Sequence, residues 1–175
     1  AIRTSVPYAL AALGGTVSEL SGVVNIGLEG MILTGAFGAV LGQHLTGSGW
    51  LGLAAAVVGG AGMALIHGVV VIRFRANQII SGLAINLLAV GLCKFFLKTV
   101  FHSSSNSSRV EGLPSLLPDD LFDTPIVHDL LGGPLVLMTL LLFVGLHQVL
   151  YRTPFGLRIR AVGEHPAAAQ SLGVA

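Results

Sequence analysis

Apolar residues along this chain gather into long blocks divided by short polar stretches. That is the pattern of membrane spans; a soluble helix keeps its apolar positions to one face. The first block covers residues 6–17, extending toward Leu20. The second, 23–45, is interrupted near its start by Asn25, Gly27, Glu29 and Gly30. A third, 50–72, carries no formal charge, and a fourth covers 78–97. The fifth is 130–151. A helix needs ~20 apolar residues to cross hydrocarbon, so the pattern predicts an all-α polytopic membrane protein with about five transmembrane helices. Within the third block Gly52, Ala56, Gly60 and Ala64 recur four apart, a stripe of small residues expected to let a neighbouring helix approach closely.

The polar segments set the expected orientation. Arg73 and Arg75 flank one connection, and Arg152, Arg158 and Arg160 follow the fifth block. Two spans separate these basic clusters, so both lie on one side, the cytoplasmic one by the bias of Lys and Arg. Residues 102–129, rich in Ser, Asn, Pro and Asp with Glu111, Asp119, Asp120, Asp123 and Asp129, then form an external loop. The 45–50 turn is external and the 19–25 turn internal. Gly47 and Gly49 have no strand before them, so they mark a turn and not a nucleotide-binding fingerprint.

Composition supports lipid as the solvent. The chain has 53% hydrophobic and 10% charged residues, where a soluble domain carries about 25% charged, and its mean hydropathy is +0.85. A net charge of +1 with no basic stripe gives no footing for nucleic acid. The single Cys93 lies in an apolar block, excludes an internal disulfide and reads as a small buried residue. The chain opens on Ala1 without a signal-peptide pattern and stops at residues 171–175 after a helix-like segment. It is expected to be part of a longer protein, cut at both ends.

Three constellations interrupt the apolar background. In Asn25-Ile26-Gly27-Leu28-Glu29-Gly30, a carboxylate and an amide stand in an apolar span, and two glycines permit a broken helix. Such groups face a translocation path or, as readily, a polar partner on a neighbouring helix. In the second, 76–86, Asn77, Ser81 and Ala84 share one helical side, while Gln78, Gly82 and Asn86 share the adjoining one. Hydrogen bonding between helices is the first expectation for these amides, with a place in the path as the lesser one for Asn86. In the third, 153–173, Pro166, the Ala run and Gly173 predict a short helix over 166–172. It is too short to span a membrane or to stand alone. The six histidines lack the i, i+4 spacing of a metal site, so no metal, cofactor or catalytic centre is expected.

Read together and in order, Gly22-Val23-Val24-Asn25-Ile26-Gly27-Leu28-Glu29-Gly30-Met31, Asn77-Gln78-Ile79-Ile80-Ser81-Gly82-Leu83-Ala84-Ile85-Asn86 and Thr153-Pro154-Phe155-Gly156-Leu157-Arg158-Ile159-Arg160-Ala161-Val162-Gly163-Glu164 resemble one family. It is the membrane permease subunits of ABC importers for simple sugars, nucleosides and branched-chain amino acids, the nucleoside and simple-sugar branch above all. The likeness covers nearly the whole chain. It implies a permease fold like that of vitamin B12 and ribose importers, with residues 1–175 as a single, partial transmembrane domain. Its external loop would be 102–129 and its cytoplasmic coupling segment 152–173.

The translocation path would then include Asn25, Gly27, Glu29, Gly30 and Asn86. Coupling to the ATPase would fall to Arg158, Arg160, Gly163, Glu164, Pro166, Ala168 and Leu172, with Gly163 permitting a turn and the 166–172 helix seated in an ATPase cleft. The implied partners are cytoplasmic ABC ATPase subunits, which carry out hydrolysis, a second permease subunit, an extracytoplasmic substrate-binding protein and the lipid bilayer. The implied location is a bacterial cytoplasmic membrane, and a nucleoside is the first expectation for substrate. Two other classes stay open on the residues alone: an ion-coupled secondary transporter or channel, in which Glu29 carries the coupling ion, and a membrane scaffold without a path.

Overall fold

The computed structural model describes residues 2–103, 106–107, 109–110, 112–114 and 133–173. Among them there is helix and no strand. The helices are α1 (Ile2–Leu20), α2 (Leu28–Thr46), α3 (Gly49–Gly68), continued by a π-helical turn (Val69–Arg73), α4 (Gln78–Phe101), α5 (Pro134–Arg152), α6 (Pro154–Glu164) and α7 (Pro166–Ser171). Among the described residues three stretches are long and apolar enough to cross a membrane: Gly49–Arg73, Gln78–Phe101 and Pro134–Arg152. The other two expected spans correspond to α1 and α2, of 19 residues each. The expected external loop lies mostly outside the described residues, as does the start of the fifth block before Gly133.

Contacts divide the chain into one unit of residues Asn25–Leu113 and another of Ala1–Val24 with Pro114–Ala175. In the first, α2 and α3 form an antiparallel hairpin. Gly47 ends α2 in the left-handed region, φ 69, with its N–H donated to the Gln43 carbonyl at 2.7 Å, and α3 begins two residues later. The two helices touch through backbone. A Cβ on Gly38 would lie 2.7 Å from the Ala55 oxygen, and one on Gly52 the same distance from the Ala39 oxygen.

The predicted stripe holds at Gly52, Ala56 and Gly60, which all face α2, and leaves the contact at Ala64. Steps of four residues overshoot the 3.6-residue turn by about 40° each, and Ala64 ends up exposed. Ala55 and Gly59, one helical position to the side, share the contact with Gly52, Ala56 and Gly60. Helix α4 packs on α2 and α3 and buries Ser81, Gly82, Ile85, Ala89 and Cys93, and Met63, Ile85 and Ala89 make a small core on which Met31 packs.

In the other unit α1 packs on α5 and α6. Each of α5, α6 and α7 opens on a proline, whose fixed φ suits the first helical position and whose missing N–H is not needed there. Thr153 caps α6 with its hydroxyl accepting from the Gly156 N–H at 3.2 Å. The sequence pattern predicts no helix between the fifth block and residue 166, so α6 is a correction. Its inner face of Gly156, Ile159, Arg160 and Gly163 follows helical spacing, but two of those residues are glycine and one is arginine. The hydrophobic pattern therefore hid it.

Large apolar side chains such as Val58, Leu65, Leu87 and Leu141 are exposed. Facing water they would be unfavourable, and facing lipid they are not.

Candidate functional site

The second apolar block does not become one helix. Residues 21–27 stay outside regular helix and α2 starts only at Leu28, so the interruption expected from Asn25–Gly30 lies earlier in the chain, with Glu29 and Gly30 in the first turn of α2. Within the break the Asn25 side-chain oxygen accepts from the Gly27 N–H at 3.0 Å, a local turn that competes with helix. Its amide nitrogen reaches the Met31 sulfur at 3.6 Å.

Asn86 of α4 completes the break. In an unbroken helix the Gly30 N–H would donate to the Ile26 carbonyl, four residues back. Here the Gly30 N–H donates to the Asn86 Oδ1 at 2.8 Å, and the Asn86 Nδ2 donates to the Ile26 carbonyl at 3.1 Å. One carboxamide is inserted where one backbone bond is missing, and both orphaned groups are satisfied.

Close approach makes this possible. Added Cβ atoms would lie 2.9 Å from the Asn86 Oδ1 at Gly30 and 3.0 Å from the Gly27 nitrogen at Gly82. Asn86 thus has the interhelical bonding role expected first for the amides of this stretch. Gly27 and Gly30 are buried, Asn25 is half-buried and Glu29 is exposed. Among the described residues the Glu29 side chain makes no hydrogen bond or ion pair. The other amide of the second constellation, Asn77, caps α4 by accepting from the Ile79 and Ile80 N–H groups at 2.9 and 3.3 Å.

A buried pair beside the break was not foreseen. His67 is 3% exposed, and its Nδ1 is hydrogen-bonded to the Ser81 hydroxyl at 2.9 Å, while its Nε2 has no partner. Fourteen residues separate the two, so only the packing of α3 on α4 reveals them. Among the described residues no three His, Cys, Asp or Glu side chains gather where they could hold a metal.

The seven residues of the expected coupling segment divide by face. Arg158, Glu164, Pro166, Ala168 and Leu172 are exposed, Leu172 to 83%. Arg160 and Gly163 turn inward. The Arg160 guanidinium carbon lies 4.9 Å over the Tyr151 ring, a cation–π arrangement that ties α6 to α5, and its Nε is buried without a hydrogen-bond partner. Gly163 does not make the expected turn. It lies in the last turn of α6, and the chain bends at His165. Glycine is needed there for another reason: a Cβ would run into the Leu20 carbonyl oxygen at the end of α1. The predicted short helix is present as α7, closed by Gly173 at φ 79.

Known proteins similar to this chain are membrane permeases. The guanosine ABC transporter permease protein NupQ of Bacillus subtilis is 42% identical over 96% of this chain. The nucleoside ABC transporter permease protein NupC of Lactococcus lactis is 34% identical over 97%. TsgC13 of Haloferax volcanii, a permease provisionally named for glucose, is 34% identical over 99%. The chain spans 56%, 56% and 53% of these three, about half the length of each. No solved structure gives a significant match. Over residues 1–175 the sequence matches the family described as the branched-chain amino acid transport system permease component, and the chain belongs to that family of multi-pass membrane permeases.

Proposed function

We propose that this chain is a large part of the permease subunit of an ATP-driven importer that takes up a nucleoside. The observation that carries the reading is the α6–α7 segment. It follows the fifth apolar block and presents Arg158, Glu164, Ala168 and Leu172 on a side that none of the described residues covers. A six-residue helix such as α7 is not stable alone, and an exposed one beside a membrane span suits a soluble partner. That partner is a pair of cytoplasmic ATPase subunits. A second permease subunit and an extracytoplasmic binding protein complete the assembly, in a prokaryotic cytoplasmic membrane with residues 73–77 and 152–173 inside.

The nucleoside rests on what NupQ and NupC are named for. A simple sugar is the next substrate to test, because TsgC13 is named for glucose. The path includes the broken stretch, with Asn25 and Glu29 offering polar groups, Gly27 and Gly30 allowing the break and Asn86 holding it open. Crosslinking tests the reading directly. In the full-length permease co-expressed with its ATPase, Ala168→Cys should crosslink to the ATPase; failure to crosslink in an otherwise active complex removes the coupling role.

A further inference from the structure

The end of α6 and the end of α1 come close enough at Gly163, Leu20 and Gly22 for backbone to meet backbone. A Cβ on Gly163 would collide with the Leu20 carbonyl oxygen and stand 3.0 Å from the Gly22 nitrogen. From the other side, a Cβ on Gly22 would stand 3.2 Å from the Gly163 Cα. Gly22 also has φ 84, in the left-handed region that glycine adopts at little cost and other residues avoid. Neither residue can be enlarged without separating the two elements.

Both partners in this contact are held from behind. On α6, Gly156 is pressed against Val149 and Leu150 at the end of α5, and Arg160 lies over Tyr151. At the end of α1, the Gly22 N–H donates to the Glu19 carbonyl at 2.9 Å and the Val23 N–H to the Ser18 carbonyl at 3.1 Å. The Ser18 hydroxyl donates back to the Val23 carbonyl at 2.8 Å. Residues 18–23 are thus closed on themselves as a short rigid piece, and in the chain this piece ends just before Asn25. No side chain lies between the two backbones to absorb movement, and packed backbone transmits displacement.

We propose that the Gly22–Gly163 contact is the point at which movement of the coupling segment passes into the chain leading to the Asn25–Gly30 break, with Gly163 and Gly22 as its positioning residues. This rests on the importer reading above. Three elements define it: α7 and the outer side of α6 receive the push, Gly163 hands it to residues 18–23, and the chain carries it to the break.

Hydrogen exchange on the full-length transporter, assembled with its ATPase and binding protein in lipid nanodiscs, tests it with and without ATP plus vanadate. Exchange in residues 154–172 and in residues 18–23 should change together. In Gly163→Ala the response of 154–172 should persist and that of 18–23 should be lost. Uptake should fall about tenfold while the ATPase still co-purifies, a loss within the usual range of coupling energies. Gly62→Ala, where an added Cβ meets nothing within 4 Å, serves as the control that keeps uptake.

A wild-type transporter in which 154–172 responds and 18–23 does not overturns the proposal, and so does a Gly163→Ala uptake within about twofold of wild type. If 154–172 itself is silent to nucleotide, the importer reading falls first and the proposal with it. Should Gly163→Ala fail to accumulate, the wild-type exchange result decides alone.

Discussion

Asn86 shows what one side chain does in this protein. Its carboxamide takes the place of a missing peptide bond partner, accepting from Gly30 and donating to Ile26. Removing it in Asn86→Ala leaves a part-buried backbone donor and a more exposed backbone acceptor unpaired, at up to about 1–3 kcal/mol for the donor and less for the acceptor. The full-length protein should show a clear fall in unfolding temperature in detergent. Asn86→Asp keeps an acceptor for Gly30 but loses the donor to Ile26, so it should not restore wild-type stability; a wild-type melting curve for either variant would show that the bridge is dispensable. Glycines offer a second contrast. Gly38→Ala places a Cβ 2.7 Å from the Ala55 oxygen and should destabilise by the ~1–3 kcal/mol of overpacking. Gly62→Ala meets open space and should be neutral or gain up to about 1 kcal/mol of helix propensity. Equal melting temperatures for this pair would refute the backbone contact of α2 on α3.

Elements add constraints that residues alone do not. Helix α6 exists because Thr153 caps it, Pro154 starts it and Gly156 lets it fold back on α5. Thr153→Ala should cost about 1 kcal/mol, seen as faster hydrogen exchange confined to residues 154–158. At α7, Leu172 is so exposed that Leu172→Asp should cost the fold within about 0.5 kcal/mol, as surface changes do. If this helix docks on an ATPase, the same change should sharply reduce ATPase co-purification while the melting temperature stays put. Loss of both together would place Leu172 in the permease core instead.

At the scale of the whole molecule, the proposed transporter is driven by nucleotide and not by an ion gradient. Uptake by the complete system should stop on ATP depletion and be indifferent to proton and sodium ionophores. The opposite result would assign Glu29 the role of carrying a coupling ion. Unlabelled guanosine should compete with labelled nucleoside for uptake, and glucose should not. A competing glucose would move the substrate to the sugar branch.

Much of this was legible before any fold was known. The long apolar blocks, the break at Asn25–Gly30, the turn at Gly47 and the short helix after Pro166 all follow from local chemistry: too few charges for water, polar groups and glycines that interrupt helix, and proline and glycine at helix ends. Local composition acts over a few residues, so the sequence alone determines where helices can start, stop and fail. Which groups meet is settled by packing over long separations. Asn86 reaches a gap 56 to 60 residues away, Ser81 finds His67, and Gly163 rests on Leu20. Helix α6 was missed because its inner face is built from two glycines and an arginine, residues whose burial makes sense only against the end of α5 and the turn after α1. Periodicity counts apolar side chains, whereas these contacts are made by backbone and amide, and only the tertiary structure could decide them.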